Sequence, residues 1–404
     1  MVAKTLLARL QRGLVLKGNI WIILIQSFIG SVGYGMLFPI WQPFVLSLGA
    51  SMSILGGLRA IITLLSSVSS LLWGKLSDMA GRKPFIVLSY ALRATAIIIC
   101  LFANAWPLLI LYAIFMGLSA SFQQHNPAIA SLIAESVSRE ERGTAYSVIM
   151  ASSTIASAVV APIGGILAMM WGFKLIFVGC MLVDFFSIML AVFFIEETLK
   201  EVHSEEKFNE PWTKTFRNII TPESHLWGFY ISLTVDAFAW GLGSYILYGM
   251  LVKTYGFTKY QLGLLSTVLS LVWGISQVPI GKLIDKYGRK LFILISELVG
   301  IISLVGWLFS RSFISFAILQ IPFALMIATW VPAIAALLAD SVPMEKRGQA
   351  MGRLQAFRGI FAFPAPYIGG LLFDTYGFRA PIFTNLIGAI IAFILIYLLV
   401  KEEA

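Results

Sequence analysis

One charged string is written twice in this chain, GKLSDMAGRK from Gly74 to Lys83 and GKLIDKYGRK from Gly281 to Lys290. Each copy lies between long apolar runs, so the second half must repeat the fold of the first. A shift of 205 residues carries PAIASLIAESVSREERGTA, from Pro127, onto PAIAALLADSVPMEKRGQA, from Pro332, without a gap. The same shift lays Gly164 and Gly165 on Gly369 and Gly370. Solenoid repeats have periods of about 20 to 50 residues, so a period this long means two equivalent bundles. Two bundles imply a cleft between them.

With 59% hydrophobic and 12% charged residues, a chain of 404 residues has too little polar surface to coat a soluble particle. It needs lipid. Twelve apolar spans, about 20 to 30 residues each, are long enough to cross a bilayer. They cover 18–47, 52–77, 84–103, 106–134, 143–169, 174–195, 225–252, 259–284, 290–309, 312–340, 347–373 and 379–400. In hydrocarbon each must satisfy its own backbone hydrogen bonds, as an α-helix does. The sequence therefore predicts an all-α polytopic membrane protein, twelve transmembrane helices in two pseudo-symmetric six-helix bundles. An N-terminal bundle over 1–195 and a C-terminal bundle over 225–404 flank a polar linker at 196–224.

Basic residues orient the chain. Lys75, Arg82, Lys83, Arg139, Arg142, Lys282, Arg289 and Lys290 fall in one set of connections, and only Lys174, Lys253, Lys259, Arg311 and Arg379 in the other. By the positive-inside rule both termini and both repeated loops are cytoplasmic, in the plasma membrane. The net charge of +9 is then accounted for by topology and anionic lipid, and no nucleic-acid partner is expected. Cys100 and Cys180 fall inside apolar spans and read as free buried thiols. No phosphate-binding loop, metal-binding His/Cys cluster or nucleophile elbow is present, so neither cofactor nor metal nor enzymatic activity is expected.

In this setting the repeated loops resemble the signature of the major facilitator superfamily, Gly-x-Leu-x-Asp-x-x-Gly-Arg-Lys. Gly74, Asp78, Gly81, Arg82 and Lys83 match it in the first half, and Asp285 and Arg289 in the second. The resemblance covers nearly the whole chain. It implies alternating access, with spans 1, 4, 7 and 10 lining a central cavity and spans 3, 6, 9 and 12 outside. It also implies that Asp78 braces the start of span 11 across the cytoplasmic seam, joined by Arg142, as a conformational gate. A loop that merely caps its own helices is the structural alternative.

Charges inside spans are costly and mark function or pairing. At 1.5 Å per residue, Asp236 and Arg358 each lie about 16 Å from the cytoplasmic ends of spans 7 and 11, near the midplane. They are the candidates for proton coupling or substrate, with His125 on span 4 as a possible relay. Cavity lining is expected from Gln26 and Tyr34 on span 1, Gln123 and Gln124 on span 4, Trp240 on span 7, Gln320 and Trp330 on span 10, and Gln355 on span 11. Arg93 and Asp184 match in depth on two peripheral spans and read as a structural pair. Glu297, about 10 Å into span 9, is expected to reach water or Lys290, and Arg59 to snorkel outward.

The resemblance leads to a monomeric secondary transporter that exchanges protons for amphipathic or weakly cationic small molecules, as drug exporters do. The alternative is a proton-coupled symporter or a uniporter for a small polar or anionic solute, centred on Arg358. The antiporter pattern on span 5 is incomplete, reading Ala161-Pro162-Ile163-Gly164-Gly165, which favours antiport only weakly. A receptor or lipid-handling scaffold on the same fold is the third class.

Overall fold

A computed structural model describes residues 18–120, 126–138, 142–199, 221–343 and 347–402. Among the described residues ten helices are long and apolar enough to cross a membrane, and an eleventh, Lys259–Gln277 with Pro279–Tyr287, is bent by 49°. The bend falls at Pro279, whose missing N–H and bulky ring break the ladder. The fourth predicted span is represented by Trp106–Leu118 and, beyond residues outside the description, by Pro127–Ser136. Predicted and observed ends agree within a few residues, as for Met52–Ala80, Lys174–Phe194 and Arg379–Leu399. Most of the linker, and with it the boundary between the halves, lies outside the described residues.

Packing repeats with the sequence. Span 1 lies against spans 5 and 6 as span 7 does against spans 11 and 12, and spans 2 and 4 pair as spans 8 and 10 do. Large side chains such as Phe185, Phe193, Ile275 and Ile314 stay exposed on the outer surface. On a soluble protein that area would be a liability; around a bundle in lipid it is the solvent-compatible face. The two bundles meet chiefly along span 5 with span 8 and span 2 with span 11. These two seams are related by the repeat.

Candidate functional site

The second bundle encloses a charged cluster. Asp236 is 2% exposed and Arg358 reaches it from span 11 at 3.6 Å. The Arg358 Nε–H donates to the carbonyl of Leu233 at 3.1 Å, and the guanidinium lies 4.5 Å from the centroid of the Trp330 ring. Three spans thus hold one cation. Glu297 corrects the expectation of a shallow, water-reaching carboxylate. It is wholly buried, beside Asp236 and the indoles of Trp240 and Trp330, while Lys290 donates to the Tyr397 carbonyl at 2.9 Å. Distance counted along a helix does not give the face a side chain takes, and this one faces the bundle interior, one turn from the small residue Gly300. Trp240 fills the space that a side chain at Gly300 would occupy. None of the contacts of Glu297 has hydrogen-bond geometry. Among the described residues Asp236 Oδ1, both Glu297 oxygens and the Trp240 and Trp330 N–H groups are left without partners.

Gln320 is wholly buried with both amide atoms unpartnered, whereas Gln355 is half-buried. Arg59 does not snorkel outward: its guanidinium sits 4.8 Å from the ring centroid of Tyr245, on the other bundle. A cavity of about 500 Å³ lies elsewhere, where Pro43, Met169, Phe173, Phe257 and Lys259 meet between the bundles. It does not include the charged cluster, whose chemistry is the better guide to function.

In the first bundle Arg93 and Asp184 are paired. Arg93 Nε–H donates to Asp184 Oδ1 at 2.8 Å, and the Tyr34 hydroxyl donates to Oδ2 at 2.6 Å. The guanidinium lies 4.3 Å from the Tyr34 ring and 4.8 Å from that of Tyr90. Tyr34, expected in the cavity lining, thus serves this pair. Gln26 likewise ties span 1 to span 6, donating to the Ser187 carbonyl at 2.7 Å. Gln123, Gln124 and His125 lie outside the described residues.

The repeated loops carry a repeated device. Gly81 and Gly288 have φ of +98° and +99°, a conformation that L side chains rarely adopt, and each starts the next helix. The amides thereby exposed are taken by carboxylates from the ends of spans 6 and 12. Glu197 accepts from the N–H groups of Arg82 at 2.9 Å and Lys83 at 3.0 Å. Glu402 accepts from those of Arg289 at 2.5 Å and Lys290 at 3.0 Å. Arg82 pairs with Glu135 at 2.8 Å as Arg289 pairs with Asp340 at 3.1 Å. Neither Glu197 nor Glu402 was singled out in the sequence, yet the 205-residue shift that aligns Glu135 with Asp340 also aligns them. Asp78 binds Arg82, within its own half, Arg142 donates to the Ala134 carbonyl at 2.9 Å, and Asp285 is exposed. Gly74 packs beside Pro127. The residues immediately before span 11 lie outside the description, so a brace there is not seen.

Burial pushes the Glu197 carboxyl up, but the amides of Arg82, Leu199, Lys83 and Thr198 outweigh it and hold it below the usual range. A carboxyl lowered on folding stabilises above its unfolded pKa, and that contribution is lost as pH falls through the folded value. Glu197→Gln should therefore cost about 1 kcal/mol at neutral pH, a normal helix cap reduced by exposure. Thermal unfolding of variant and parent should converge in acid.

At the face opposite the loops the bundles are stitched together by polar side chains that bind backbone groups across the seam. The Gln42 amide donates to the Tyr245 carbonyl at 2.9 Å and accepts from the Gly249 N–H at 2.6 Å. Asp374, at the end of span 11, accepts from the amides of Met52 at 3.1 Å and Ser53 at 2.8 Å, capping the start of span 2 across the seam. Lys259 Nζ donates to the Ala168 carbonyl at 3.0 Å.

Two repeated bundles, joined at one face and each burying charges among its own apolar spans, define a secondary transporter. The model of the Major Facilitator Superfamily matches residues 23–251 and 229–404. The chain belongs to the Major Facilitator Superfamily: it is an integral membrane transporter of small molecules, not an enzyme. It is 26% identical over 392 residues to the multidrug resistance protein MdtG of Proteus mirabilis, covering 94% of this chain and 95% of that one. The protein of the same name from Salmonella arizonae is 25% identical over 375 residues, 90% and 91% of the two chains. Among solved structures, a mutant of the nucleoside transporter NupG superposes with TM-score 0.73 at 12% identity, over 95% of this chain and all of that one. The human organic anion transporter MFSD10 superposes at 0.68 with 16% identity, over 93% and 98%.

Proposed function

We propose that the chain exports amphipathic or weakly cationic small molecules in exchange for protons, as a monomer with both termini in the cytoplasm. The observation that carries this is Asp236, an enclosed carboxylate paired with Arg358 of a second span. A carboxyl that is ion-paired in one conformation and protonated in another carries a proton each time the bundles rock. The likeness along almost the full length to proteins named for multidrug resistance supports the direction and the breadth of cargo. With the loops cytoplasmic, the stitched face is the external one.

Flux in proteoliposomes with and without an imposed pH gradient tests it. Asp236→Asn should abolish the gradient-driven component, at least a tenfold loss for about 1.4 kcal/mol of coupling, while leaving exchange down a substrate gradient. Arg358→Ala should be tolerated better. The reverse ranking, with Arg358→Ala collapsing transport of an anionic solute, would replace export of cations by carriage of anions.

A further inference from the structure

We infer that Asp236 and Glu297 form one proton-binding site, holding a single proton between them. Two carboxyl groups stand side by side, 2% and 0% exposed, and among the described residues the cation that faces them is Arg358, at 3.6 Å from Asp236. Span 10 adds the uncharged indole of Trp330. Tyr245 lies beyond Arg358, and Arg59 of span 2 is over the Tyr245 ring. One guanidinium balances one carboxylate. A second carboxylate would be buried without a counter-charge, at a cost no packing contact repays.

The partners left open point to the ligand. Asp236 Oδ1 and both Glu297 oxygens lack hydrogen bonds, each beside a carboxyl that could supply one once protonated. A proton placed between the two groups makes one O–H···O hydrogen bond, which engages Asp236 Oδ1 and one Glu297 oxygen and leaves the other Glu297 oxygen beside the indole N–H groups. A metal cation fits poorly. It would need several oxygen ligands, whereas the remaining walls present N–H donors from Trp240, Trp330 and Arg358. Glu297 is thus a residue for proton binding on a span that the family pattern places at the periphery. Its role in transport rests on the proton-coupled reading above, but the shared proton does not.

Infrared spectroscopy of the purified protein in nanodiscs tests the site without any flux. Wild type at neutral pH should show the carbonyl stretch of a protonated carboxylic acid, and E297Q and D236N should each lose it completely, since the carboxylate that survives alone balances Arg358. The stretch should not change when sodium replaces potassium. No such band in wild type, a band surviving in either variant, or displacement by sodium would each overturn the shared proton. Should a variant fail to fold, the wild-type band and its response to sodium and to carboxyl isotope labelling of aspartate and glutamate still decide. Flux indifferent to a pH gradient, with the band intact, would remove the coupling and leave the site standing. Gradient-driven flux with no band would do the opposite.

Discussion

Gly165→Ala and Gly370→Ala should each drive the protein out of the conformation described and toward one in which the stitched face parts. The two positions are equivalent under the repeat, and each meets the start of a helix on the other bundle. A Cβ at Gly165 would collide with the carbonyl of Lys259, and one at Gly370 with the carbonyl of Met52. Those neighbours are backbone, fixed by the first turns of spans 8 and 2, and cannot swing aside as a side chain could. Overpacking of this kind costs about 1 to 3 kcal/mol. Because the contact is made between bundles, the penalty falls on the closed face and not on either bundle alone. It therefore appears as a population shift of about 5- to 150-fold. Spin labels at Ser47→Cys and Lys253→Cys, one on each bundle and both exposed, should report growth of the longer distance in either variant. An unchanged distribution would mean that the seam relaxes around a methyl group. The double variant should shift further, since the sites are far apart and share no partner.

How much of this could be read in advance depends on what kind of interaction is involved. The bundles, the spans and the loops were legible because lipid forces every span into a long apolar helix, and the repeat confirms each assignment twice. Asp236, Arg358, Arg93 and Asp184 were legible because a charge inside such a helix stands out. Gln42, Asp374 and Lys259 were not, since polar groups at span ends are ordinary in sequence and their value lies in the facing backbone. Glu297 was seen but placed in the wrong surroundings: distance along a helix gives depth, whereas the face depends on neighbours such as Gly300 and Trp240. Glu197 and Glu402 could have been found from the repeat alone. They were hidden because a helix cap is recognised by its amides, and the residues that donate them are more than a hundred positions away.

Loss of Asp184 should be the most damaging single change in the first bundle. The residue is wholly buried and takes the guanidinium of Arg93 on one oxygen and the Tyr34 hydroxyl on the other. Asp184→Ala strands a buried cation, which costs about 3 to 5 kcal/mol, a large part of the 5 to 15 kcal/mol typical of a whole domain. The expected result is little monodisperse protein in detergent and a strongly lowered melting temperature. Removing both charges, as Arg93→Met with Asp184→Leu, should recover most of the loss, because well-packed apolar residues replace a buried pair at little cost. Exchanging the charges, Arg93→Asp with Asp184→Arg, should recover less. The rings of Tyr34 and Tyr90 lie under the present guanidinium, 4.3 and 4.8 Å from it, and a guanidinium starting from span 6 would not sit over them, while the Tyr34 hydroxyl would lose its carboxylate. Tyr34→Phe isolates that last contribution, about 1.5 to 3 kcal/mol for a hydrogen bond to a charged group. If the exchanged pair matched wild type in melting temperature, the tyrosines would be spectators and the pair a matter of charge alone.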